Sequence, residues 1–187
     1  MSKKYKFGYN DKLHFVTFSV TNWIDLFIRT EYKTILLDSI KFCQQNKDLE
    51  VYAYCVMTSH VHLIIGSKGK ALSDIMRDLK RHSSEMLHKA IAQHPNESRK
   101  EWMLEQMGKA ALQFSNNSNF QLWQPESHPI ELNNDEILKQ KCDYIHYNPV
   151  EAGFVRLPEE WLYSSAGDYN NTSKGLLDII LLEPVVI

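Results

Sequence analysis

The 187-residue sequence predicts an α+β fold: a ferredoxin-like (split βαβ) antiparallel sheet with helices on one face, plus a further helix late in the chain. Three observations point there. Hydrophobic periodicity switches between 2 and 3.6 in the order strand, helix, strand, strand, helix, strand. Only Thr58-Ser59 separates the second strand from the third, a connection short enough to make them an antiparallel pair. A hydrophobic share of 43% with 24% charged residues belongs to a chain that buries a core, not to a disordered one.

Each element has its own signature. Residues 14–20 alternate and are rich in β-branched and aromatic side chains, which reads as a strand. Residues 32–46 place Ile35, Leu36, Ile40, Phe42 and Cys43 at helical spacing. Strands follow at 50–57 and 60–65, the latter ended by Gly66. Residues 71–93 read as a long helix with Leu72, Ile75, Met76, Leu79, Met86, Leu87 and Ile91 on its apolar face, stopped at His94-Pro95-Asn96. A helix over 98–112, a polar loop over 115–119 and a short strand over 120–123 come next. Asn134 or Asp135 caps a last helix, expected to run through Tyr147 and to stop at Pro149. The stretches 176–182 and 185–187 are expected to pack back on the body. One domain over 1–187 is expected, with a core of about 13–150 and an extension over 151–187.

Composition narrows the function classes. No apolar run is long enough to cross a membrane, and no apolar signal core follows the basic residues 1–6. Three cysteines without CxxC spacing speak against a disulfide scaffold or structural zinc and fit a reducing cytoplasm. The net charge of −2 does not itself suggest nucleic acid. Its distribution says more: residues 1–67 hold 8 Lys/Arg against 6 Asp/Glu, 68–112 hold 9 against 6, and 113–187 hold 4 against 11. A DNA-binding surface would have to come mainly from the first two thirds.

Two motifs could carry chemistry. His60-Val61-His62 lies on a strand, where residues i and i+2 share a face, so both imidazoles point one way. Convergent imidazoles are a ready pair of metal ligands, though two polar residues on a solvated face would read the same. In Asp143-Tyr144-Ile145-His146-Tyr147-Asn148-Pro149, Tyr144 and Asn148 are i and i+4 on one helical face. A phenol that attacks phosphorus needs a cation on the phosphate, and an amide oxygen suits a hard ion such as Mg²⁺. The same segment also reads as core aromatics ahead of a helix stop.

Taken together, the pieces resemble a known family. The stretch 56–64 resembles the strand-turn-strand motif of the single-tyrosine HUH transposases. Residues 143–155 look like the catalytic-helix signature of their REP-associated branch, and 161–166 like its Tyr-Ser-Ser element. Leu79-Lys80-Arg81-His82-Ser83-Ser84 is similar to a Lys-rich helix segment of the family, and 120–124 to its Trp-Gln strand. These pieces occur in the family's order from about residue 14 to about 169.

The resemblance implies a transposase that nicks and rejoins single-stranded DNA with hairpin ends. Tyr144 would be the nucleophile, forming a 5′-phosphotyrosine link. His60, His62 and Asn148 would hold a divalent metal, Mg²⁺ or Mn²⁺. Lys80, Arg81 and Ser83 would contact the DNA backbone, and Trp123 would stack on an unpaired base or sit in the core. Tyr147 suits the nucleophile's part less well, being three residues further on and rotated away. Glu126 and Glu131 stand where many relatives carry basic residues, and Ser83 where many carry threonine. Relatives include homodimers and monomers, and the sequence leaves both open. Two other classes also stay open: a hairpin-binding protein that does not cut, and a metal hydrolase that uses water.

Overall fold

The computed structural model describes residues 12–113, 119–125, 127 and 129–182. The N-terminal basic residues 1–6, the polar stretch 115–118, Glu126 and the apolar 185–187 lie outside the described residues. Strands β1 (His14–Ser19), β2 (Leu49–Val56), β3 (His60–Ser67) and β4 (Ile130–Glu131) form one antiparallel sheet in the order β2-β3-β1-β4. Helix α1 (Thr30–Asn46) joins the first two strands, and α2 (Leu72–Gln93) and α3 (Lys100–Gln113) follow the third. Helix α4 (Asp135–Glu151) and the single turn α5 (Ala166–Tyr169) come last. This is the α+β class, with the antiparallel sheet, that the periodicity predicts.

Strand alternation divides the side chains between two faces. Val16, Phe18, Val61, Leu63 and Ile65 face α1 and α2, where they meet Leu36, Ile40, Leu72, Ile75 and Leu79 in the main core. Each such buried side chain contributes about 1.5–3 kcal/mol, so this layer dominates stability. Phe15, Ala53, Cys55 and Ile64 point the other way and pack on Cys142 and Ile145 of α4 and Tyr169 of α5. The helices therefore do not all share one face: α1 and α2 cover one side, and α4 covers the other.

Helix α4 starts as expected, with Asn134 Oδ1 accepting the Ile137 N–H at 2.8 Å. It does not stop at Pro149 but runs on to Glu151. Proline in the last turn removes only the bond to the Ile145 carbonyl, which is too little to end a helix so close to its terminus. The stop is Gly153, at φ +76°. Its N–H bonds the Val150 carbonyl, and the Phe154 N–H bonds the Pro149 carbonyl, both at 2.9 Å, the reciprocal pattern of a Schellman cap. Asn148 consequently stays helical, one turn beyond Tyr144.

The strand expected at 120–123 is not the fourth strand. Trp123 makes a single bridge to Val20, and the pairing partner of β1 is Ile130–Glu131. Between them the chain follows β1 irregularly, with Gln124 N bonded to Ser19 O at 2.8 Å. Pro125 and Pro129 have no N–H to give a ladder, which keeps the regular strand to two residues. At the opposite edge, residues 163–165 pair with β2: Val56 N bonds Tyr163 O at 2.9 Å and Ser165 N bonds Tyr54 O at 3.0 Å. The Tyr-Ser-Ser element thereby covers an otherwise open sheet edge. Among the described residues no helix is long and apolar enough to cross a membrane.

Candidate active site

The two histidines of β3 project to the α4 face, while Val61 between them is fully buried in the main core. Thr17 lies directly across from His62 in the β1–β3 register, and its Oγ1 is 2.7 Å from His62 Nδ1. Phe15 stacks on the same imidazole at 5.7 Å between ring centroids, with 18° between planes. His62 is 2% exposed. Burial, and then the neighbouring charges of His60 and Lys141, push its pKa down to about 3. Burial lowers His60 as well, offset in part by a hydrogen bond with Asn148 and by the charge of Asp25. Both rings are thus held neutral near pH 7, with lone pairs to offer.

Helix α4 brings the distant motif against them. The edge of Tyr144 meets His62 with 5.2 Å between centroids, and Asn148 Nδ2 is 3.3 Å from His62 Nε2. With His62 Nδ1–H donating to Thr17, Nε2 keeps its lone pair toward Asn148. The donor set of two neutral imidazoles and one side-chain amide fits a divalent cation, with Asn148 turning its oxygen toward the ion. No group of three or more His, Cys, Asp or Glu able to hold a metal occurs among the described residues.

Tyr144 is 42% exposed, so its side chain reaches solvent. The ammonium of Lys141, one turn earlier, lies 5.6 Å from the Tyr144 ring centre and 5.0 Å from that of Phe15. Tyr147, though 44% exposed, makes no ring contact with His60 or His62 among the described residues. The remaining face of α4 is anchored: His146 is fully buried, with Nε2 2.8 Å from Ser165 Oγ, and that hydroxyl accepts the Tyr54 N–H at 2.9 Å. Burial pushes the His146 pKa down to about 4, so this anchor is a neutral one.

Three of the four expected DNA contacts point inward instead. Ser83 is fully buried; it donates to Leu79 O at 2.7 Å and accepts from Trp123 Nε1 at 3.1 Å. Trp123 is 2% exposed and meets Phe18 edge-on at 4.7 Å between centroids. Lys80 donates to Gln124 O at 2.8 Å and to Ser127 Oγ at 3.0 Å, and burial lowers its pKa to about 8. These contacts tie Trp123, Gln124 and Ser127 to α2 and engage the Ser83 hydroxyl, the Trp123 indole N–H and two of the three Lys80 donors within the protein. Arg81 alone of the four is exposed, at 3.3 Å from Asp78.

Thr17, Phe15, Lys141 and Ser165 join the site although no motif marks Thr17, Phe15 or Lys141. Thr17 is reachable only through the β1–β3 register. Lys141 is reachable by counting one helical turn back from Tyr144.

Comparison with known proteins places this fold among transposases. The model of the family described as "Transposase IS200 like" matches residues 9–113, which include both histidines and end before α4. A Haemophilus influenzae protein named as a REP-associated tyrosine transposase is 24% identical over 136 residues, 73% of this chain and 69% of that protein. A solved REP-associated tyrosine transposase bound to a REP hairpin superposes with a TM-score of 0.65 at 20% identity, covering 99% of this chain and 93% of that one. The likeness in structure extends through α4, and the family match spans more than half of the sequence. The chain belongs to the IS200-like transposase family.

Proposed function

We propose that this protein cuts and rejoins single-stranded DNA beside a hairpin, in the cytoplasm, with Tyr144 as nucleophile and a divalent cation at His60, His62 and Asn148. The observation that carries the reading is the convergence of Tyr144 and Asn148 from α4 on the paired imidazoles of β3. The hairpin is suggested by the solved relative, which is bound to one. When bound, Mg²⁺ or Mn²⁺ would polarise the scissile phosphate.

The chain's own residues supply the rest. The Tyr144 oxygen forms a bond to phosphorus as the bond to the 3′ oxygen breaks; the phenol's proton is lost and the departing 3′ oxygen gains one. The product is a 5′-phosphotyrosine and a free 3′-hydroxyl, and attack by another 3′-hydroxyl reverses the step without ATP. Thr17 and Phe15 fix the His62 ring, and the His146–Ser165 contact sets the rotation of α4 that aims Tyr144. All four central residues come from one chain, so the reading requires no second copy.

The test is a denaturing gel of protein mixed with a labelled single-stranded hairpin oligonucleotide. A metal-dependent covalent adduct is expected with the unmodified chain and not with Tyr144→Phe. Tight metal-independent binding without any adduct favours a hairpin-binding protein. Turnover without an adduct favours a hydrolase that uses water.

A further inference from the structure

Between β1 and α1 the chain makes a turn in which two consecutive non-glycine residues, Asn22 and Trp23, both sit at φ 54°. Left-handed backbone is unfavourable for L side chains and is found where something else holds it. Here the flanks hold it: Val20 and Thr21 on one side and Ile24 on the other are buried. The Trp23 N–H bonds Val20 O at 3.0 Å, and Asn22 Nδ2 donates to Gln106 Oε1 of α3 at 3.2 Å.

This rigid turn does not bury the tryptophan. Trp23 is 57% exposed, against 2% for Trp123, so packing does not offset its backbone strain. Its indole meets His60 at 5.6 Å between centroids and 73° between planes, a near-perpendicular contact that covers little of either ring. An exposed indole on a hydrogen-bonded backbone turn beside the paired histidines is what a stacking surface for an unpaired base requires, and such stacking tolerates any base.

Resting on the function proposed above, we propose that Trp23 is a base-stacking platform that holds the unpaired nucleobase next to the phosphate attacked by Tyr144. It positions the single strand across β3 while Tyr144 approaches from α4. Its ligand is a nucleobase of single-stranded DNA; a base-paired stem, whose π-faces are already stacked, is not a ligand.

The test measures binding in Tyr144→Phe protein, so that cleavage does not intervene. The probe is a fluorescein-labelled DNA hairpin with an unpaired flank, of a sequence with which the unmodified chain forms its adduct, in the presence of Mg²⁺. Trp23→Gly is expected to weaken binding by about 10- to 100-fold, and Trp23→Phe to stay within roughly threefold of the parent. Removing the base beside the scissile phosphate should cost the parent the same factor and cost the Trp23→Gly protein nothing more. Glycine accepts positive φ, so Trp23→Gly should melt no lower than its parent. Parent-like affinity in Trp23→Gly, or a missing-base penalty that adds in full, overturns the proposal. So does a large fall in melting temperature with equal loss of stem binding. If the unmodified chain still forms its adduct in that case, only the platform fails; if it neither binds nor reacts, the function it rests on fails with it.

Discussion

The two faces of the sheet carry two polar clusters that look equally functional in the sequence but differ in how their groups are used. On the α2 face, Lys80, Ser83, Trp123 and Ser127 bond to one another and to the backbone. On the α4 face, His62 keeps one nitrogen toward Asn148, and Tyr144 opens to solvent. The first cluster is bonded within itself around a buried tryptophan, whereas the second sets a neutral imidazole and an amide beside a tyrosine that reaches solvent.

The largest expected effect comes from the first cluster. Trp123→Ala leaves a cavity and removes the indole N–H that Ser83 Oγ accepts, and should cost about 3–5 kcal/mol of stability. That corresponds to a fall in melting temperature of roughly 6–20 °C by calorimetry. Adduct formed per folded molecule should hardly change; a specific loss of DNA binding at unchanged stability would break the comparison.

Thr17→Val keeps the strand and removes the oxygen that orients His62. By analogy with partners of metal-bound histidines, divalent-metal affinity should fall about 10- to 100-fold in calorimetric titration, with little change in melting temperature. An unchanged affinity would show that the ring is fixed by Phe15 alone.

The smallest effect separates Lys80 from its neighbour. Arg81→Ala should reduce the slope of log affinity against log salt by about one. Lys80→Met should leave that slope alone and lower stability, because its ammonium bonds Gln124 and Ser127. Equal slopes in the two variants would return Lys80 to the DNA surface.

These contrasts show what was legible in the sequence. Both faces of β3 follow from period-2 alternation, and the Tyr144–Asn148 spacing follows from period 3.6. Ser83 lies on the apolar row Leu72, Ile75, Leu79, Leu87, so its burial was legible too, whereas Met86, assigned to that row, is 43% exposed. The end of α4 lies beyond the expected stop at Pro149 because a proline in the last turn is tolerated and Gly153 supplies the cap. Thr17 and Trp23 were not legible: one depends on the strand register, the other on backbone dihedrals, and neither leaves a pattern in composition or spacing.

The central claim is that α4 aims Tyr144, not Tyr147, at the histidine pair. Mass spectrometry of tryptic peptides from protein reacted with a single-stranded hairpin oligonucleotide and Mg²⁺ tests it most directly. The account predicts nucleotide mass on Tyr144 in the unmodified chain and in Tyr147→Phe, and none in Tyr144→Phe. Nucleotide mass on Tyr147, or an adduct that persists in Tyr144→Phe, would contradict it.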